Sequence, residues 1–163
     1  MATLPSSTIR PATQDDIPAI LELYAETGLD DGIRLNPAQA RDMLRRMAAY
    51  PYYRIFVVTT AEAQITASYA LLIMDNIAHA GAPLSIVEHV AVSVSHQGKG
   101  LGTFMMQHAM AESRAHGCYK LALSSNVRRD RAHEFYDKLG FVRHGYSFIV
   151  NLGSIVPPET FAD

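Results

Sequence analysis

Two polar side chains, Glu88 and His89, break an otherwise core-like stretch at residues 86–94, a β-branched run that reads as a packed strand. Just beyond it comes Gln97-Gly98-Lys99-Gly100-Leu101-Gly102-Thr103. Its closely spaced glycines let backbone N–H groups approach a ligand without Cβ obstruction. The helix expected from Leu101 onward turns its unpaired N–H groups, and the positive end of its dipole, to the same place. Strand, turn and helix together make a phosphate or pyrophosphate site. The spacing is not that of a Walker P-loop, and Thr103 stands where a Rossmann fingerprint would have its third glycine. A tight turn that merely caps a helix would use the same glycines, so the turn alone leaves both readings open.

The elements that must position these residues belong to a chain of 163 residues, long enough for one domain, 1–163, with a sizeable core. A net charge of −2 gives no argument for nucleic acid or for an anionic membrane surface. The single cysteine, Cys118, rules out an internal disulfide and a cysteine-based zinc site. The seven histidines fall at no metal-ligand spacing, so no metal is expected. The first ten residues lack a signal-peptide pattern, and no apolar run reaches membrane-spanning length. The expectation is a cytoplasmic domain.

In chain order, residues 8–10 read as a first strand. Thr13 to Asp16 form a capping box before a helix with Ile17, Ile20, Leu21 and Tyr24 on one stripe, closed by Gly28. Asn36-Pro37 starts a second helix, whose apolar face is Ala40, Met43, Leu44 and Met47 and whose Arg41, Arg45 and Arg46 are solvated. Residues 53–60 and 64–74 make a hairpin, and 75–83 a loop before the central strand. Residues 101–116 form a helix with Leu101, Phe104, Met105, His108, Ala111 and Ala115 on one face. Met106, Ala109 and Met110 widen that face until little of the helix meets water. A strand at 119–124, a short helix at 128–139 and a last strand at 141–151 follow, with 157–163 a frayed tail.

This order resembles the GNAT superfamily of acyl-CoA-dependent N-acetyltransferases. Two motifs carry the resemblance. Gln97-Gly98-Lys99-Gly100-Leu101-Gly102 fits the pyrophosphate-loop pattern Q/R-x-x-G-x-G/A. Ala132-His133-Glu134-Phe135-Tyr136-Asp137-Lys138-Leu139-Gly140-Phe141 fits the later motif A-x-x-F-Y-x-K-x-G-F. Their separation matches too, so the resemblance covers nearly the whole chain. It implies an α/β (α+β) fold: a mixed, mainly antiparallel sheet of six to seven strands flanked by about four helices. Residues 125–129, with Ala132 and His133, look most like acetyltransferases of small amines, of the aminoalkylphosphonate or aminoglycoside kind. Many members carry an Asn three residues before the Ala of the second motif. Here Arg129 occupies that place, and the Asn role passes to Asn126.

The resemblance implies direct attack of a primary amine on the acetyl-CoA thioester. The turn from Gln97 through Gly98, Lys99, Gly100, Leu101, Gly102 and Thr103 would hold the pyrophosphate. The pantetheine arm would lie along the central strand like an added strand, on Val90, Ala91 and Val92, and the next strand must splay to admit it. Asn126 and Phe135 complete the cofactor-binding set, with Phe135 read as a core side chain rather than a catalytic one. A charged amine is not nucleophilic, so a base is needed, and Glu88 is the candidate; a solvated strand carboxylate is the competing reading. Strand alternation sends His89 to the opposite face from Glu88. Tyr136 matches the general acid that protonates the departing thiolate, against a tyrosine that merely packs beside the cofactor. Acceptor recognition would come from residues 28–36, from 75–83, and from His144, Tyr146 and Phe148. The partner expected is a small-molecule amine, with a homodimer carried over from the family. Two alternatives stay open: a protein or peptide N-acetyltransferase, and a non-catalytic acyl-CoA sensor.

Overall fold

The computed structural model describes residues 7–150 and Leu152. They fall into two compact units divided after Leu123. Asn151, which would end the last strand, and the tail at 157–163 lie outside the described residues.

The first unit is a five-stranded sheet in chain order: β1 (Thr8–Pro11), β2 (Tyr53–Thr59), β3 (Ile65–Met74), β4 (Leu84–Val92) and β5 (Lys120–Ala122). The first four pair antiparallel, and β5 pairs parallel to β4 after a helical crossover. Six to seven strands were expected; the described residues contain five. Residues 141–150 take no strand structure, and β5 is only three residues long. Gly145 and the polar Arg143 and His144 interrupt the apolar pattern that a stable strand at 141–150 would need.

Helices α1 (Ile17–Thr27) and α2 (Pro37–Ala48) begin where the sequence places them. The Asn36 carboxamide accepts from the Gln39 N–H, and the Gln39 side chain accepts from the Asn36 N–H. The left-handed Gly28 closes α1. Ile17 and Leu21 pack against Ala40 and Leu44, which joins the two helices. Met43 is exposed rather than packed, and Arg41 is half-buried, its guanidinium donating to the Gln14 carbonyl.

Helix α3 (Leu101–Ala115) corrects the expected stripe. Leu101, Met105, Met106, Ala109 and Ser113 are buried, whereas Ala111 and Ala115 are exposed. A methyl group adds little apolar area, so the helix turns the small Ser113 inward instead. The Ser113 hydroxyl donates to the Ala109 carbonyl at 2.7 Å and lies 2.7 Å from the Ser85 hydroxyl of β4, so it carries no unpaired polar atom into the core.

Strand alternation separates two layers. Tyr69 turns its hydroxyl to His108 of α3, at 2.7 Å, while its neighbour Ser68 faces Tyr24 of α1. The sheet is therefore covered by α3 on one face and by α1 with α2 on the other. This two-sided cover is why Thr66 through Leu71 are all buried.

The second unit holds α4 (Asp130–Lys138), closed by Gly140 at φ +86°.

Candidate active site

Beta strand β4 is paired on both edges for only part of its length. Leu84, Ser85 and Ile86 pair with Lys120, Leu121 and Ala122 of β5, and the pairing then stops, while β4 continues to Val92 against β3. Among the described residues, the edge of β4 at Val90, Ala91 and Val92 pairs with no strand on the β5 side.

At the end of β4 the chain makes a 3-10 turn (Val94–His96) and enters the glycine-rich segment. Two contacts anchor it. The Glu26 carboxylate of α1 accepts from the Ser93 hydroxyl at 3.0 Å and from the Val94 N–H at 2.8 Å. The Gln97 carboxamide donates back to the Val92 carbonyl at 3.1 Å. Gln97 thus ties the turn to the strand and occupies a carbonyl that an added strand would otherwise use. Gly98 and Gly100 sit at φ +73° and +86°, a left-handed geometry that an L side chain adopts only at a cost. Gly100 caps α3, whose intrahelical bonding begins with the Phe104 N–H to the Gly100 carbonyl. The N–H groups of Leu101, Gly102 and Thr103 then have no acceptor within the helix and face outward at its positive end. A Cβ built on Gly98 would meet nothing within 4 Å, so backbone geometry and not crowding selects glycine there. Lys99 is exposed beside these donors.

Glu88 lies on the face covered by α1 and α2. It pairs with Ala70, two residues from Ser68, and Ile55 of β2 continues the same row. Tyr53, paired with Leu72, stands one row away on that face. Burial pushes the Tyr53 hydroxyl above its ordinary pKa, and the Glu88 carboxylate adds to the rise. Glu88 is exposed, as a proton acceptor open to substrate must be.

His89 is not where alternation puts it. Ser68 pairs with Ala91 but Ala70 pairs with Glu88, so Tyr69 faces two residues, His89 and Val90, across a β-bulge. His89 takes φ +53°, and its ring lies 6.4 Å from the Tyr24 ring of α1. Glu88 and His89 therefore share one face. Sequence reasoning missed this bulge, and with it Tyr24, Tyr53 and Ser68 as neighbours of Glu88. One signal was available: Ser68, like Glu88, is a polar residue in the middle of an apolar strand.

In the second unit, the Tyr136 ring is held edge-on by Phe135, at 5.0 Å between centroids, and by Phe141, at 5.5 Å. Phe135 and Tyr136 are both half-buried. The Asn126 carboxamide accepts from the Arg128 N–H at 2.9 Å, and the Asn126 carbonyl lies 2.9 Å from His133 Nε2. Asn126 thus braces the approach to α4. Of the acceptor-loop residues, Asp30 accepts from the Gly32 N–H, and Arg34 pairs with Glu22 at 2.5 Å. His144, Tyr146 and Phe148 are exposed. Among the described residues, no group of three or more His, Cys, Asp or Glu side chains could hold a metal ion, and no helix is long and apolar enough to cross a membrane.

The model of the Acetyltransferase (GNAT) family matches residues 17–141. A solved structure, a provisionally named acetyltransferase from Agrobacterium tumefaciens, superposes with a TM-score of 0.81 at 30% identity, over 88% of this chain and 99% of that one. Glucosamine-6-phosphate N-acetyltransferase from Arabidopsis thaliana shares the fold, with a TM-score of 0.80 over 91% of this chain and 99% of its own, at 20% identity. In sequence, the chain is 35% identical over 81 residues to glucosamine 6-phosphate N-acetyltransferase of Trypanosoma brucei brucei, covering 50% of this chain. The chain spans about half the length of that relative, 53%. Family match and fold bear out the resemblance: the chain belongs to the acetyltransferase (GNAT) family.

Proposed function

We propose that the protein transfers an acetyl group from acetyl-CoA to the primary amine of a small molecule, by direct attack of the amine, and that residues 1–163 act as one domain. The observation that carries this reading is the pairing of an open β4 edge, beyond Ile86, with a left-handed glycine turn that aims the first-turn N–H groups of α3 outward. Those groups fit the two polar parts of the cosubstrate. The pyrophosphate would rest on the N–H groups of Gly98, Lys99, Gly100, Leu101, Gly102 and Thr103, with the Lys99 ammonium beside it. The pantetheine amides would pair with the β4 edge at Val90 and Ala91, Val92 being partly taken by Gln97.

Glu88 would remove the proton that keeps the amine from acting as a nucleophile, and Tyr136 would return a proton to the departing thiolate. The protons balance: the ammonium sheds one to Glu88 before the attack, and a second leaves the acylated nitrogen and restores the phenol after Tyr136 has protonated the thiolate, so CoA leaves as a thiol. Two curated relatives support a small amine as acceptor: glucosamine 6-phosphate N-acetyltransferase, and the 5-NmdU N-acetyltransferase of Pseudomonas phage PaMx11, 35% identical over 66 residues, 40% of this chain and 45% of that protein. The protein would work in the cytoplasm, as a homodimer.

Melting the protein with and without acetyl-CoA, then following thiol release over an amine panel, tests the reading. At a hundredfold excess over its dissociation constant the cosubstrate should add about 2.7 kcal/mol of stability. Binding without thiol release on any amine would leave a sensor, and release only with peptides would make the acceptor a protein.

A further inference from the structure

The bulge at His89 is the one place where β4 departs from regular pairing, and it is backbone-strained. A non-glycine residue held at φ +53° is unfavourable, although histidine tolerates the left-handed region better than most residues. A regular strand would instead have sent the imidazole to the α3 side with Val87, which is 1% exposed. The bulge keeps it out of that core and sets it beside Tyr24, on the face that carries Glu88.

Other groups gather there. Tyr53 stands one row from Glu88. The Ser68 hydroxyl, in a residue with 0% exposure, is held against the Tyr24 phenol by a side-chain hydrogen bond. Burial raises the Tyr24 phenol above its usual pKa, with Ser68 opposing, so Tyr24 stays a neutral donor. The two acidic residues of α1 are already engaged, Glu22 with Arg34 and Glu26 with Ser93 and Val94. Glu88 is thus one carboxylate among aromatic faces and hydroxyls.

We propose that His89, turned by the bulge against Tyr24, is a specificity-determining residue that holds the non-reacting part of the acceptor, and that this part is a polyhydroxylated ring, as in an amino sugar or an aminated nucleoside. Ring C–H faces pack on the imidazole and the phenol, and ring hydroxyls reach Tyr53. A linear polyamine would bring a second ammonium, and the carboxylates of α1 on this face are already engaged. The inference rests on the amine-acetylation reading, with Glu88 as base.

The test compares the wild type with His89→Gly and His89→Asn, using glucosamine and spermidine as acceptors. Glycine relieves the strain and asparagine tolerates it, so neither variant should melt below the wild type, and His89→Gly should melt a few degrees higher. Both should raise the KM for glucosamine about tenfold, with kcat changed less than threefold and the KM for acetyl-CoA unchanged, and should narrow any preference over spermidine. An unchanged glucosamine KM with acetyl transfer intact overturns the role of His89 alone. A lower melting temperature for His89→Gly also overturns it, by making the ring a packing element. A wild type that binds acetyl-CoA but transfers to neither acceptor, nor to any other amine, overturns the amine reading and this inference with it.

Discussion

Tyr69 with His108 and Tyr24 with His89 are the same two residue types on opposite faces of one sheet, in opposite circumstances. On the α3 face the Tyr69 hydroxyl meets His108 Nδ1 at 2.7 Å, and Phe56 stacks on Tyr69 at 5.3 Å and meets the imidazole edge-on at 4.9 Å. Burial pushes the Tyr69 phenol up and the His108 imidazole down, so both stay neutral. On the α1 face the imidazole is exposed, its backbone is strained and its ring lies 6.4 Å from that of Tyr24. Residue type therefore does not make a site. A polar pair whose groups satisfy each other in regular backbone is structure. A pair held open to solvent by a local irregularity is available for chemistry.

The largest test of that contrast is Tyr69→Ala. It removes a side chain with no exposed surface and strands His108 Nδ1, so about 3–5 kcal/mol of stability should go, read by denaturant unfolding. A loss below about 1 kcal/mol would mean that the closed face is not the stabilising one. Its counterpart is Glu88→Gln, which should lower kcat about a hundredfold and abolish the basic-group dependence of the rate on pH, with the melting temperature unmoved. Normal kcat would pass the role of base to water. Tyr136→Phe should cost about tenfold in kcat with the acetyl-CoA dissociation constant unchanged, and undiminished turnover would remove Tyr136 from proton transfer.

Much of this contrast was legible in the sequence. The capping box at Thr13 to Asp16, the helix start at Asn36, the left-handed stop at Gly28, the glycine turn and the break in apolar pattern at Glu88 are local signals, and each appears where expected. What escaped depends on long-range register. Alternation assigns His89 to the α3 face, and only the pairing of Ser68 with Ala91 and Ala70 with Glu88 shows the extra residue. The stripe on α3 was misplaced because alanine reads as apolar, although Ser113 offers a hydroxyl that Ser85 and Ala109 can satisfy. Residues 141–150 take no strand structure, because Arg143, His144 and Gly145 break the apolar pattern between two apolar ends.

A smaller effect lies in strong acid, at the start of α1. The Arg10 guanidinium grips Asp16 at 2.6 and 2.8 Å, and with the Thr13 N–H it holds the carboxyl at about 2, against an ordinary 3.8. A depressed folded-state pKa gives stability that is present above the unfolded value and lost as pH falls through the folded one. Between pH 4 and 2 the wild type should thus lose about 1–2 kcal/mol more than Arg10→Ala, allowing for the exposed guanidinium. Equal losses would make the pair ornamental.

The smallest effect belongs to His108, and it tests the closed face without cutting it. Burial lowers its pKa, and the nearby Glu112 opposes this only in part. The unfolded chain then takes up a proton at a higher pH than the folded one. Stability is therefore complete above the unfolded value, about 6.5, and falls as pH drops below it. The wild-type melting temperature should decline from pH 7.5 to 5.5 more steeply than that of His108→Gln, whose carboxamide oxygen can still accept from the Tyr69 hydroxyl. The difference between the two slopes isolates His108 from the other six histidines, since those are common to both proteins. Parallel slopes would mean that the imidazole takes up its proton as readily inside as out. The α3 face would then be as open as the α1 face, and the distinction between the two tyrosine–histidine pairs would rest on backbone strain alone.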